Sequence, residues 1–294
     1  MAPRDRLALA LIVLAWAGNF LLSAEALERI PPFWFTVLRF LVVLLLLFPF
    51  LRVPQKRAWP LLIFVCLSTG ALHFAFNFWA LREGGIALVA ILLQSYVPMS
   101  ALLAAFSLRE HIGWRTAAGI TIAFLGVCWI GIARGARADG GAIALALIAA
   151  ALLALGTVAM RRLKGVAALE LQAWNAALGI PVLLPLALWL EGDPRESLLV
   201  AETRHWLGVF YSGAIASVVG HGLLYALLRR HPVAAITPWL LLTPVAAIGL
   251  AALFRSERPS SAILLGGALV LLGVLLIALR DRARGRRGAP PVEA

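Results

Sequence analysis

Acidic residues are missing from the interior of every long apolar stretch in this chain. They gather at the ends of those stretches, as Glu25, Glu28, Glu110 and Glu257 do. That absence excludes several functions. A cation/proton antiporter needs a buried carboxylate to pair with its cargo, and an intramembrane prenyl transferase needs acidic clusters to hold metal. No His-Glu-x-x-His run occurs. Ser217 and His221 have neither a Gly-x-Ser-x-Gly context nor an orienting acid to make them a hydrolase pair. An enzyme is not expected, and no cofactor or metal is expected either. The two cysteines, Cys66 and Cys128, fall in separate apolar stretches, which predicts no disulfide or metal role. Polar and apolar residues do not alternate as a membrane barrel requires.

What remains is apolar. Of 294 residues, 62% are hydrophobic and 14% charged, and the mean hydropathy is +0.94. A water-soluble fold cannot hide that much apolar surface, so the bilayer must be the solvent. Helices of about 20 residues are the form that satisfies every backbone group there. Ten such spans are predicted, at 7–24, 33–51, 60–81, 86–107, 114–131, 141–159, 170–190, 206–228, 233–254 and 261–279. Proline and glycine punctuate them, at Pro31-Pro32, Pro54, Gly84-Gly85, Gly140-Gly141, Pro194, Pro232 and Pro259.

The net charge of +12 does not point to nucleic acid. Arg280, Arg282, Arg284, Arg286 and Arg287 form a short tail, and most other basic residues sit in loops. If the N-terminus is cytoplasmic, the inner segments carry 17 Lys and Arg against 8 outside, with Arg39 alone inside a span. This asymmetry predicts that both termini face the cytoplasm. Arg4 and Arg6 before the first span, with Ala24-Glu25-Ala26 after it, imitate a signal peptide. Trp16 and Asn19 within that span, and the duplication described next, predict that it is retained.

Most of the stretch from His73 to Val127 occurs twice. Ala80 and Pro98 recur at one spacing as Ala226 and Pro244. Glu110, Gly119 and Gly126 recur, at a spacing longer by a single insertion, as Glu257, Gly266 and Gly273. A fainter echo relates Arg39 to Asn175 and Pro49 to Pro185. The duplication predicts repeats at 1–137 and 138–282, followed by a basic tail at 283–294. Five spans per copy is an odd number, so the second copy enters the membrane upside down. The predicted fold is an all-α membrane protein of ten helices, two inverted five-helix repeats around a central cavity, an arrangement that serves alternating access.

Polar side chains inside spans face a bundle interior or a wet cavity. The candidates for substrate binding are Trp16 and Asn19 in span one, His73 and Asn77 in span three, Gln94 and Tyr96 in span four, His221 and Tyr225 in span eight, and Trp239 and Thr243 in span nine. They would form an uncharged pocket for a small zwitterion or neutral metabolite, or merely join helices by hydrogen bonds. The two histidines could also relay protons. Pro98 and Pro244 bend spans four and nine, as pivots or as static kinks. Gly119, Gly126, Gly266 and Gly273 make flat faces for close packing within a monomer or across a weak homodimer. Arg39 has three readings: snorkelling to the surface, pairing with Glu25, or meeting a substrate carboxylate.

Trp16-x-x-Asn19-Phe20, Pro31-Pro32, Leu38-Arg39-Phe40, the Pro98-to-Glu110 stretch, Gly119 with Gly126, and the Pro244-to-Glu257 stretch together resemble the EamA-type branch of the drug/metabolite transporter superfamily. Within it, the chain is similar to bacterial exporters of amino acids and related metabolites, among them O-acetylserine/cysteine exporters. The resemblance implies a cavity built from spans one, three, four, six, eight and nine, and export of a small molecule across the bacterial inner membrane. Leu153 and Thr157 depart from the family, which often has an aromatic residue and an asparagine about there, so that half of the cavity is expected to be more apolar. The alternative from another class is a passive channel, or a drug- or lipid-handling protein with no defined amino-acid site.

Overall fold

The computed structural model describes residues 2–107, 112–134, 136–228, 230–231 and 233–288. Among them there is no strand. The helices, in order, are α1 (Pro3–Ala26), α2 (Pro32–Leu47), α3 (Trp59–Val65), α4 (His73–Leu92), α5 (Tyr96–Ser107), α6 (Trp114–Arg134) and α7 (Ala136–Met160). There follow α8 (Ala168–Glu191), the short α9 (Arg195–Leu199), α10 (Thr203–Phe210), α11 (His221–Leu228), α12 (Val233–Leu240), α13 (Leu242–Phe254) and α14 (Ser261–Gly288). Prolines at the entries of α1 and α2 suit positions whose N–H has no helical partner.

Among the described residues, nine stretches are long and apolar enough to cross a bilayer. The third, Lys56–Ser107, runs for 52 residues and leaves helical geometry at Gly85, where φ is 76° and ψ 174°. Left-handed φ at that point is tolerable only because glycine has no Cβ. The break exposes the N–H groups of the following turn. The Glu257 carboxylate accepts them, from Ile86 at 3.3 Å and Ala87 at 3.0 Å. Glu191 does the same for the start of α2, accepting from Phe33 at 2.9 Å and Trp34 at 3.0 Å. Both carboxylates therefore sit where unpaired N–H groups and the positive end of the helix dipole favour an anion.

Two further irregularities share one form. Between α3 and α4, residues Cys66–Leu72 widen into a π-helix that ends at His73. Between α10 and α11, Tyr211–Gly220 does the same and ends at His221. The prolines follow breaks of their own. A 3₁₀ turn at Leu93–Ser95 precedes α5 and Pro98, and a turn at Leu241 precedes α13 and the buried Pro244. Each proline lacks the N–H that the carbonyl of residue i−4 would have received, which is where each helix is interrupted.

Helices α6 and α14 pack along their length through glycine. A Cβ at Gly119 would lie 2.7 Å from the Gly273 carbonyl oxygen, and one at Gly126 2.5 Å from that of Gly266. The flat glycine faces thus meet inside one chain. Elsewhere Phe35, Phe40 and Phe78 are buried, with Phe35 edge-on to Phe78 at 4.7 Å. The outward stripes are aliphatic, such as Leu7, Leu11 and Leu14 on α1 and Leu265, Leu269 and Leu272 on α14. Apolar faces of that extent suit lipid, not water.

Two measurements follow. Gly126→Val should destabilise the detergent-purified protein by about 1–3 kcal/mol through overpacking. Gly131→Val, with nothing within 4 Å of the added carbon, should leave the melting temperature nearly unchanged. Glu257→Ala should cost about 1–2 kcal/mol, as losses of helix caps do, and Glu257→Gln less. Equal melting of all four variants and wild type would contradict the packing and capping described.

Candidate functional site

A row of polar and aromatic groups crosses the middle of the bundle and joins both halves of the chain. From α1, the Trp16 indole N–H donates to the Ala216 carbonyl at 3.1 Å. The same ring lies 5.2 Å from that of His221. Nδ1 of His221 approaches the Ala216 and Ser217 carbonyls at 3.2 Å each. Because carbonyls only accept, Nδ1 carries the proton. Ser217 in turn donates to the Ser212 carbonyl at 2.7 Å. That carbonyl belongs to the fifth residue back, the offset a π-helix creates.

Arg39 of α2 closes the row. Its Nη2 donates to Ser217 Oγ. Its guanidinium carbon lies 3.7 Å from the Phe74 ring centroid, with the Phe40 and Phe78 rings at 5.3 and 5.4 Å. Phe74 stands beside His73, with ring centroids 4.8 Å apart. His73 donates from Nδ1 to the Ala149 carbonyl of α7 at 2.9 Å. The two histidines are thus held in the same tautomer, each at the end of a π-helix.

The first two readings of Arg39 are corrected here. It does not snorkel, being only 1% exposed. Nor does it pair with Glu25, whose carboxylate is taken by Arg204 at 3.0 Å and by Arg255. Arg39 Nε and Nη1 have no hydrogen-bond partner among the described residues. Placing an arginine mid-span costs about 2.5–3.5 kcal/mol even with relief by snorkelling, and a stacked desolvated ring returns roughly 2 kcal/mol. The Ser217 bond returns about 1.5–3 kcal/mol more, so the charge is roughly balanced, and what the described residues leave unsatisfied is the pair of donors at Nε and Nη1.

The remaining predicted residues divide. Asn77 lies one turn beyond His73, buried, with Oδ1 unpartnered among the described residues. Asn19 accepts from Ser23 at 3.2 Å. Thr243 is buried with its hydroxyl likewise unpartnered, Gln94 and Tyr96 stand at the break before Pro98, and Trp239 is exposed. The Tyr225 side chain lies outside the described residues, as do Arg109 and Glu110. Sequence reasoning missed Phe74 as the cation's ring, although it stands next to His73 and one turn before Phe78. It also missed that Glu191 and Glu257 serve backbone N–H groups.

Glu25, Glu28 and His205 have ligand atoms within 4.8 Å of one another. His205 Nδ1 accepts the Glu202 N–H at 2.8 Å, so the neutral ring carries its proton on Nε2. A metal would need that nitrogen bare. The two carboxylates are instead balanced by Arg204 and Arg255, an ion-pair cluster linking the end of α1 to the entry of α10 and the end of α13.

Known proteins agree with this architecture. The family model for the EamA-like transporter family matches twice, over residues 6–132 and 140–279. A probable amino-acid metabolite efflux pump of Salmonella typhimurium is 29% identical, aligned over 97% of this chain and 98% of its own. Its Escherichia coli namesake is 28% identical, over 94% and 95%. A solved crystal structure superposes with a TM-score of 0.64 over 98% of this chain and all of that one, at 20% identity, which speaks to the fold alone. With both halves matched and a lipid-facing helical bundle between them, this chain belongs to the EamA-like transporter family, as a multi-pass membrane protein.

Proposed function

We propose that the protein is an exporter of amino acids, aromatic or other neutral ones among them, or of closely related metabolites, working by alternating access across a bacterial inner membrane. The observation that carries the reading is the row from Trp16 through His221, Ser217, Arg39 and Phe74 to His73, which draws polar groups from both halves into a largely apolar bundle. Relatives named as amino-acid metabolite efflux pumps support the class of cargo.

Ten crossings in two inverted repeats are the topology this requires. The stretch Lys56–Ser107 has 52 residues. Unbroken, it would make a helix roughly 80 Å long, over twice the hydrocarbon thickness of about 30 Å. The break at Gly85 therefore supports two crossings there. The repeat is supported by the glycine contacts. Duplication relates Gly119 to Gly266 and Gly126 to Gly273, and a two-fold operation therefore turns the contact of Gly119 with Gly273 into that of Gly266 with Gly126. The repeats run over 1–137 and 138–282, and the Lys/Arg balance supports cytoplasmic termini.

In the cycle, Trp16, Asn19, His73, Asn77, Gln94, Tyr96, His221, Tyr225, Trp239 and Thr243 line the path. The breaks before Pro98 and Pro244 supply the pivots. Substrate bound between the repeats is exposed to one side and then the other as the two halves rock. The working unit is a monomer or weak homodimer.

Flux of labelled amino acids from proteoliposomes, with and without a pH gradient, tests the reading. Saturation and competition among substrates are expected. A flux linear in concentration points to a channel. His73→Ala and Pro98→Ala should each lower initial rates by about tenfold, the cost of one misplaced binding contact, while the variants stay folded and monodisperse. Wild-type rates in both remove the proposed path.

A further inference from the structure

We infer that Arg39 is the group that recognises a substrate carboxylate, which makes the cargo a monoanionic or zwitterionic acid; the inference rests on the exporter reading. Burial, contact and symmetry each point to it. Arg39 is the one arginine or lysine among the buried described residues. It is enclosed by Phe74, Phe40 and Phe78, and no carboxylate among the described residues is paired with it. A buried charge persists where something pairs with it. The side chain is only 1% exposed, so a partner from outside reaches it when the halves rock apart in the exporter cycle. Acids at the ends of the spans are committed elsewhere, Glu25 to two arginines and Glu257 and Glu191 to helix starts.

The geometry of the guanidinium narrows the ligand. Its Phe74 face is covered, so its remaining donors, at Nε and Nη1, lie in the plane of the group. Each can give one charge-assisted hydrogen bond to a carboxylate oxygen, from different edges of the group and not as one fork. One buried cation balances one negative charge, and a phosphate dianion would call for a second.

The duplication adds an asymmetry. The fainter echo relates Arg39 to Asn175. Arg39 meets the second π-helix, through Ser217 and the Gly213 approach to its own carbonyl. Asn175 meets the first, against Gly70. Across the proposed two-fold relation, then, a cation on one side corresponds to an amide on the other, whose Oδ1 has no partner among the described residues. A zwitterion is polarised in the same sense, carboxylate to the guanidinium and ammonium to the carbonyl oxygen.

The test compares each acid with its carboxamide, which keeps the side chain and ammonium but loses the negative charge. Leucine, phenylalanine and their amides would be loaded into proteoliposomes holding wild type, Arg39→Lys or Arg39→Gln. Wild type is expected to prefer the acid by about ten- to hundredfold, the usual result of one charge-assisted hydrogen bond. Arg39→Gln should erase that preference and Arg39→Lys should restore part of it. A purely structural arginine would lower acid and amide alike and leave their ratio unchanged, which overturns the inference, as does a wild type that moves both equally. If wild type moves neither, the exporter reading fails on its own, and equilibrium binding of the same pairs to detergent-purified protein, followed by tryptophan fluorescence, decides the inference. Acid binding lost in Arg39→Gln upholds it; equal binding of acid and amide, or no binding, overturns it.

Discussion

Lipid offers no hydrogen bonds, so every N–H and C=O that leaves a regular helix inside this protein must find a partner in the protein itself. The irregular places follow that demand. Where α4 breaks at Gly85, Glu257 reaches across from the second half to take two N–H groups. Where the second π-helix loosens the ladder, Ser217 and His221 donate to its carbonyls, while His73, at the end of the first, donates to Ala149 of α7. Such breaks are also the points at which a helix in a tight bundle can change its course. The groups that satisfy them thus double as the couplings between the halves.

Close approach is the second condition. Glycines on α6 and α14 bring two backbones together where any side chain would clash with a carbonyl. The same device recurs at Gly213, whose missing Cβ leaves room for Val42 and the Arg39 carbonyl, and at Gly18, where the Tyr211 ring would otherwise collide. Packing of this kind needs no hydrophobic drive, which lipid does not supply between helices.

Charge is sorted by depth. The acidic residues that read at first as absent from the interior are structural at the rim, in ion pairs of Glu25 and Glu28 with Arg204 and Arg255 and as caps for helix starts. Among the described residues, only Arg39 carries a charge deep inside a span, and it is held by a ring face and a single hydroxyl. The other buried polar groups around it are neutral donors and acceptors, such as His73, Asn77 and Ser217.

The sequence by itself determined the solvent, the helical class and the punctuation, because each depends on local composition or on spacing along the chain. Gly84-Gly85 and the two prolines marked real breaks for the same reason: missing Cβ atoms and missing N–H groups act on the residues beside them. Only the tertiary structure decided which partners met. The sequence left Arg39 free to snorkel or to take Glu25, and burial together with Arg204 and Arg255 removed both options. It could not show that Phe74 would lie under the guanidinium or that Glu257, far along the chain, would serve Ile86. Contacts of that kind arise when helices distant in sequence are pressed together, and no periodicity along a single chain records them.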